Sequence, residues 1–345
     1  MKNFFKNRTR AAKPGKLISL WANHERLIQL ILLAVAILLP LIVDKRYLTT
    51  IMINCALYGT LALSLNLMTG LLGITSLGHA AFYGLGAYTA ALLATKFQVN
   101  FLLTFVAGAV VAAVVALILG FPIMRVNGRQ LAIITLGFCE IIRILELNWM
   151  DLTNGPLGIK GIPTFSLFGI QFKSVYSKYI VALVMLVLTY FIVSSIERSR
   201  TGRAIRAIRD NDIAAEAMGI NVYYYKILIF SISAAIAGMA GAYYAQYISY
   251  IGPQLFTFDQ SILILSMVIL GGIGSLPGSI LGAVLLSSVP ELLRGFSEYR
   301  QVIYGLVIIL MMVLKPNGML GDYNMHYIRQ KTGFLKKSAE VTENE

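Results

Sequence analysis

The sequence predicts an all-α, polytopic membrane helix bundle of about ten transmembrane helices, interrupted by glycine-rich broken segments, with both termini cytoplasmic. Three observations predict it. Hydrophobic residues make up 57% of the 345 residues and charged residues only 13%. The apolar residues fall in long runs, such as the uncharged LIQLILLAVAILLPLIV at 27–43. The Lys and Arg residues sit between the runs rather than in one patch beside aromatics. A helix needs ~20 apolar residues to cross the hydrocarbon core, with ~17 as a lower bound. Lipid offers no partner to backbone N–H and C=O groups, so each run is expected to satisfy its own backbone as a helix.

Taken in chain order, residues 1–26 are a basic, cytoplasmic N-terminal segment holding Lys2, Lys6, Arg8, Arg10, Lys13, Lys16 and Arg26. The run that follows is too long for an ordinary signal peptide and ends at Asp44-Lys45-Arg46 without a small-x-small cleavage site, so it reads as the first span. The predicted spans are 27–43, 48–68, 79–95, 101–121, 130–148, 179–196, 224–248, 259–273, 276–293 and 299–315. The pair flanking Gly271–Gly278 is expected to be short, broken or re-entrant. The positive-inside rule places the N-terminus, the Arg125/Arg129 loop, the loop 197–226 and the tail with Arg329, Lys331, Lys336 and Lys337 on the cytoplasmic side. The transmembrane domain is thus 27–315, followed by a polar, solvated cytoplasmic tail, 316–345.

The net charge of +13 suggests nucleic acid only when basic residues form a patch, which they do not. Cys55 and Cys139 fall inside predicted spans and imply no disulfide framework. His24, His79 and His326 are scattered without metal-ligand spacing. There is no phosphate loop and no nucleophile–base arrangement, so no catalytic site is expected in this chain.

Small residues recur four apart in several spans: Gly108, Ala112, Ala116 and Gly120; Gly86, Ala90 and Ala94; Gly278 and Gly282. Span 224–248 repeats the idea with Ser231, Ala234, Gly238, Gly241 and Ala245. Such stripes let helix backbones approach closely, and plain packing is the first reading, with a sliding surface as the alternative.

Ionisable groups within a span are costly and need a reason. Glu140 and Arg143, one turn apart, are predicted to pair. They either fix helix rotation or line a path across the membrane. Glu146, near the outer end, is expected to be partly hydrated. The segment Gly70–His79 holds three glycines within nine positions and reads as bent or unwound backbone. Irregular backbone at membrane depth is tolerated where it is buried or lines a cavity, and broken helices often mark binding sites. The break at Gly271–Gly278 has related composition and suggests an internal repeat. The candidates to line a path are therefore Asn66, Gly73, Thr75, Ser76, Gly78, His79, Glu140, Arg143, Gly272 and Gly274. For His79, a satisfied local hydrogen bond is the plainer expectation and a proton carrier the sharper one.

Loop 197–226 carries Arg198, Arg200, Arg203, Arg206 and Arg209 interleaved with Ile205 and Ile208. Asp212 is placed to cap a short helix, Ile213 to Met218, with Gly219 at the position that follows it. Docking into a soluble partner is favoured over lying on anionic lipid, because Ala214, Ala215 and Ala217 let the helix sit deep.

Four stretches, 70–94, 131–163, 201–242 and 271–286, occur in the order found in the LivM-type permease subunit of branched-chain amino acid ABC importers, which the chain resembles from the second span onward. The resemblance implies a permease domain that pairs with a LivH-type permease subunit, two cytoplasmic ATP-binding subunits, and a periplasmic or extracellular amino-acid-binding protein. It implies a bacterial inner membrane, and no cofactor in this chain, since ATP and magnesium are used by partner subunits. Coupling to the ATPases is carried onto Arg206, Asp212, Ala214, Ala215, Glu216 and Gly219, with Ala-Ala-Glu-Ala standing as a permutation of the family's Glu-Ala-Ala. Docking of the binding protein is assigned to Asn154, Gly155, Pro156 and Gly158, a turn by its own chemistry, with a plain connector as the alternative. The same-class alternative is a permease for urea or short amides. An ion-driven secondary transporter would use Glu140, Arg143 and His79, but the coupling-like loop argues against it. A scaffold without transport is disfavoured by the glycine breaks.

Overall fold

The computed structural model describes residues 46–126, 129–167, 170–171, 174–292, 305–306, 309 and 318–320. The N-terminal segment and the predicted span 27–43 lie outside the described residues, as do most of span 299–315 and most of the tail. Within them, α1 (Arg46–Asn66) runs on into a π-helical turn, Leu67–Leu72. It is followed by α2 (His79–Lys96), α3 (Phe101–Ile123), α4 (Arg129–Asn148) and the short α5 (Met150–Thr153). Next come α6 (Val175–Arg198), α7 (Arg200–Asp210), α8 (Asp212–Ala217) and α9 (Val222–Ile248). Last are α10 (Phe258–Gly271) and α11 (Leu276–Leu292).

Among the described residues, five helical stretches are long and apolar enough to cross a membrane: Arg46–Leu72, Phe101–Ile123, Val175–Arg198, Val222–Ile248 and Pro253–Gly271. Helix α4 has the length, at 20 residues, but carries Glu140, Arg143 and Glu146. Helix α11 is shorter, and with α10 it forms the pair expected around Gly271–Gly278.

Helix α9 is the centre of the bundle and packs most extensively on α2 and α3, while α1 joins α6 and α11. The small-residue stripes explain how. A Cβ on Gly86 would lie 2.0 Å from the Gly238 carbonyl oxygen, and one on Gly238 would lie 2.5 Å from that of Gly108. Three backbones therefore meet where only hydrogen fits. Gly278 and Gly282 do the same for α10 against α11, their Cβ positions falling 2.3 Å from Gly271 O and 2.1 Å from Met267 O. In α3 the predicted stripe Gly108, Ala112, Ala116, Gly120 is buried, and the opposite face exposes Leu102, Val106, Val110, Ile118 and Phe121. A helix with small residues inward and large apolar residues outward is built for a lipid border. The stripes are packing surfaces, as the plainer reading expects.

The bundle has two chemically distinct ends. Along α9, 27 residues long and so ~40 Å end to end at 1.5 Å per residue, one end meets the arginine-bearing segments. Arg125 lies 5.7 Å over the Tyr223 ring, whose hydroxyl donates to Phe121 O at 2.5 Å. The α7–α8 segment sits at this same end. At the other, β1 (Ile159–Lys160) pairs antiparallel with β4 (Tyr250–Ile251). Between them in sequence, β2 (Ser166–Leu167) and β3 (Ile170–Gln171) form a small hairpin. These two pairs are the only β-sheets among the described residues.

Candidate functional site

The two glycine breaks, about two hundred positions apart in sequence, are side by side. Asn66, fully buried, joins them: its Nδ2 donates to Ser275 O at 3.2 Å and its Oδ1 accepts from Gly274 N at 2.9 Å. An amide offers both a donor and an acceptor, which is what two opposed unwound backbones require. A Cβ on Gly70 would lie 2.6 Å from Gly274 N, so the breaks touch backbone to backbone. Gly73 (φ +81°) and Gly274 (φ +87°) take left-handed conformations that favour glycine. Beyond the second break, residues 318–320 add a strand-like contact, with Met319 N and Leu320 N donating to Leu270 O and Gly271 O at 2.9 and 3.0 Å.

After Gly73 the chain returns into the bundle without helix, which is why α2 is short. Leu77 N donates to Thr135 Oγ1 at 3.0 Å, and Ala80 N to Ser261 Oγ at 2.9 Å. Thr135 is six residues inside α4, so the break penetrates ~9 Å from that end. His79 is buried and lies 2.6 Å from Ser64 Oγ through Nε2. The single Ser64 hydroxyl proton points to Leu61 O at 2.8 Å, so Ser64 accepts and His79 Nε2 carries the proton. Ser76 is buried and accepts from Gly78 N at 3.3 Å. His79, Ser76 and Gly78 thus belong to an internal polar layer, as the plainer expectation for His79 had it, whereas Gly73 and Thr75 are exposed.

Glu140 and Arg143 pair as predicted, Arg143 Nε donating to Glu140 Oε2 at 2.8 Å. They are not at the breaks. Each side chain is about one-third exposed, 34% and 33%, on an outward face of α4 beside Ile141 and Ile144. Glu146 corrects the sequence reading. It was expected to be partly hydrated; it is 5% exposed, and neither carboxylate oxygen has a hydrogen-bond partner among the described residues. The reason is packing: Glu146 Oε1 and the Phe256 ring both lie against the Gly84 backbone, and only the absence of a side chain there admits them. The buried Tyr88 hydroxyl is likewise unpartnered among the described residues.

The arm 197–226 is helical rather than a loop. Ser199 Oγ accepts from Gly202 N at 3.2 Å and starts α7, whose Ile205 and Ile208 are buried. A second correction concerns the next cap. Asn211, not Asp212, starts α8, its Oδ1 accepting from Ala214 N at 3.0 Å. Asp212 is the first helical residue and faces Lys226 Nζ at 3.6 Å. Either residue type caps well, and only the backbone at Asn211 (φ −161°, ψ 109°) decides between them. Gly219 (φ +83°) stands where expected: Gly219 N donates to Glu216 O and Ile220 N to Ala215 O, which closes the helix end. Arg206 is tied to Glu197 at 3.7 Å. Ala215 is buried against the chain's own body; Ala214, Glu216 and Ala217 face outward with Ile213 (77% exposed) and Met218 (83% exposed). Those two apolar side chains and Arg209 were not singled out from sequence. Their signal was present for Ile213 and Met218, which flank a capped helix of small residues.

At the other end, Gly155 and Gly158 are buried turn formers, a Cβ on Gly158 falling 2.0 Å from Ile251 O. Asn154 and Pro156 face outward, joined by Leu157.

An apolar helix bundle with five span-length stretches among the described residues, two touching breaks and an exposed helical arm is the architecture of a multi-pass membrane protein. Over residues 47–314 the chain matches the family described as branched-chain amino acid transport system, permease component, and it belongs to that family. It is 38% identical to the high-affinity branched-chain amino acid transport system permease protein LivM of Salmonella typhimurium, covering 86% of this chain and 75% of that one. LivM of Escherichia coli is 37% identical over the same shares. Escherichia coli LivH, the permease protein of the same description, is 30% identical over 76% of this chain and 91% of its own length. No solved structure matches the chain.

Proposed function

We propose that this chain is the LivM-side permease subunit of an ATP-driven importer of leucine, isoleucine and valine in a bacterial inner membrane. It crosses the membrane about ten times with both termini cytoplasmic and pairs with a LivH-type permease. Two ATP-binding subunits act on the arm from inside, and an amino-acid-binding protein delivers the substrate from outside. The chain itself holds no catalytic site and no cofactor; ATP and magnesium belong to the ATPases. The observation that carries this reading is the contact of the α7–α8 arm with the two joined breaks, because it connects an exposed docking helix to irregular backbone inside the bundle.

In this reading α8 presents Ile213, Ala214, Glu216, Ala217 and Met218 to an ATPase groove, and Asn154, Pro156 and Leu157 face the binding protein. The Glu140–Arg143 pair indicates which face of α4 the second permease covers. A partly exposed ion pair inside a span is costly against lipid, and a protein partner or an aqueous path removes that cost. Alternating access follows if the ATP-bound and ATP-free ATPases bind the arm with different affinities, since only differential binding shifts a conformational equilibrium.

The test is labelled leucine uptake into proteoliposomes containing this chain, its neighbouring permease and both ATPases, with binding protein outside and ATP inside. Uptake that needs every component and yields to excess isoleucine or valine, but not urea, is the expected result. ATP-dependent urea uptake alone would change the cargo. Leucine uptake driven by an ion gradient without ATP would overturn the assignment.

A further inference from the structure

Beside the buried Ile205, Ile208 and Ala215, polar side chains also tie the α7–α8 arm down. Arg206–Glu197 joins α7 to the helix just before it, and Asp212–Lys226 joins α8 to the helix just after it. Both link neighbours in the chain. A third tie does not: Arg209, one residue from the end of α7, donates through its guanidinium to Gly70 O, 139 positions away. Gly70 lies in the π-helical turn, whose altered hydrogen-bonding pattern leaves this carbonyl open to a side chain.

Arg209 is exposed, and its side chain lies across the junction of the two breaks. A Cβ on Gly73 would lie 2.9 Å from Arg209 Cγ, and one on Gly274 would lie 3.2 Å from its NH1. Both glycines also have positive φ. The stem thus passes one break and the guanidinium reaches the other, at the place where Asn66 holds the two together. A planar, multi-donor, permanently charged guanidinium holds the Gly70 carbonyl in a more fixed orientation than a point-charge ammonium would. Because α7 and α8 are separated only by Asn211, a force on the exposed Ile213/Met218 face reaches Arg209 within one short turn.

We propose that Arg209 is the residue that transmits movement of the arm to the two glycine breaks, so that it couples ATP hydrolysis to opening of the path. It is a positioning residue and touches no substrate. This inference rests on the importer reading above. Loss of the side chain leaves ATPase docking on α8 intact but frees the breaks from the arm.

The experiment uses the complete complex in proteoliposomes and measures ATP hydrolysed per leucine imported, alongside the amount of assembled complex. If the parent shows no ATP-dependent uptake, the importer reading itself fails. Given a working parent, Arg209→Ala is expected to raise ATP hydrolysed per leucine about tenfold, the equivalent of one charge-assisted hydrogen bond, with complex yield unchanged. Arg209→Lys is expected to restore part of the coupling. Arg203→Ala removes the same charge from α7, six residues before Arg209 and, like it, exposed, and is expected to leave the ratio as in the parent. An unchanged ratio in Arg209→Ala would overturn the proposal. An equal rise in Arg203→Ala would do so too, because charge alone would then explain it. If Arg209→Ala does not assemble, Arg209→Lys and Gly73→Val, which crowds the Arg209 stem, decide in its place: normal coupling in both overturns the proposal.

Discussion

Asn66 and Glu146 show how differently two buried polar side chains are treated. Asn66 spends both ends of its amide on the opposed breaks. Replacing it by alanine leaves buried backbone groups unpaired, at about 1–3 kcal/mol. Asn66→Ala is therefore expected to lower the thermal midpoint of the purified complex, and Asn66→Asp to lower it further, because it keeps the acceptor for Gly274 N but sets a buried carboxylate oxygen against Ser275 O. A midpoint equal to the parent's in Asn66→Ala would show that the amide does not hold the breaks together. Glu146 is the opposite case, with no hydrogen-bond partner for either oxygen among the described residues. A buried carboxyl without a hydrogen-bond partner is costly in either protonation state, and methionine fills nearly the same volume without the polar oxygens. Glu146→Met is expected to raise stability by about 1 kcal/mol in a thermal-shift assay. A marked loss would instead mean that the carboxylate has an essential partner in the assembled transporter.

Among the helices, the close three-way contact of α2, α3 and α9 at Gly86, Gly108 and Gly238 is the feature most sensitive to size. Gly238→Leu places a branched side chain where a single Cβ already falls 2.5 Å from the Gly108 carbonyl and from the Ala112 methyl. Backbone, not a flexible side-chain end, would have to move, so overpacking of at least ~1–3 kcal/mol is expected. The measurement is the fraction of variant recovered as monodisperse complex after detergent extraction; recovery equal to the parent would contradict the close approach. These stripes were legible from four-residue spacing alone, because helical geometry fixes which residues share a face. The cap of α8 was not: Asn211 and Asp212 are adjacent and chemically equivalent as caps, and backbone conformation chose the first.

Across the whole molecule, the Arg125 segment and the α7–α8 arm share one end, and the β1–β4 pair occupies the other. A shared end puts all these arginines on one side of the membrane, and a labelling experiment decides which side that is. In a background lacking Cys55 and Cys139, Lys160→Cys is expected to react with an impermeant maleimide in intact cells with a permeable outer layer. Asp210→Cys is expected to react only after the membrane is opened. Both positions are exposed, so the reverse pattern would invert the orientation and with it the docking assignments.

The sequence by itself determined the helical class of the fold, the small-residue faces along which several helices pack, the positions of both breaks and the Glu140–Arg143 pair. All of these depend on local quantities: run length against bilayer thickness, residue spacing on a helix, and glycine content. Only the tertiary structure decided that the breaks meet through Asn66, that His79 faces Ser64, that Glu146 is sealed behind Gly84, and that Arg209 enters the junction. These are contacts between residues far apart in the chain, set by how helices lie against one another. Spacing along a sequence fixes the face a residue occupies but carries no record of which distant backbone will come to rest upon it.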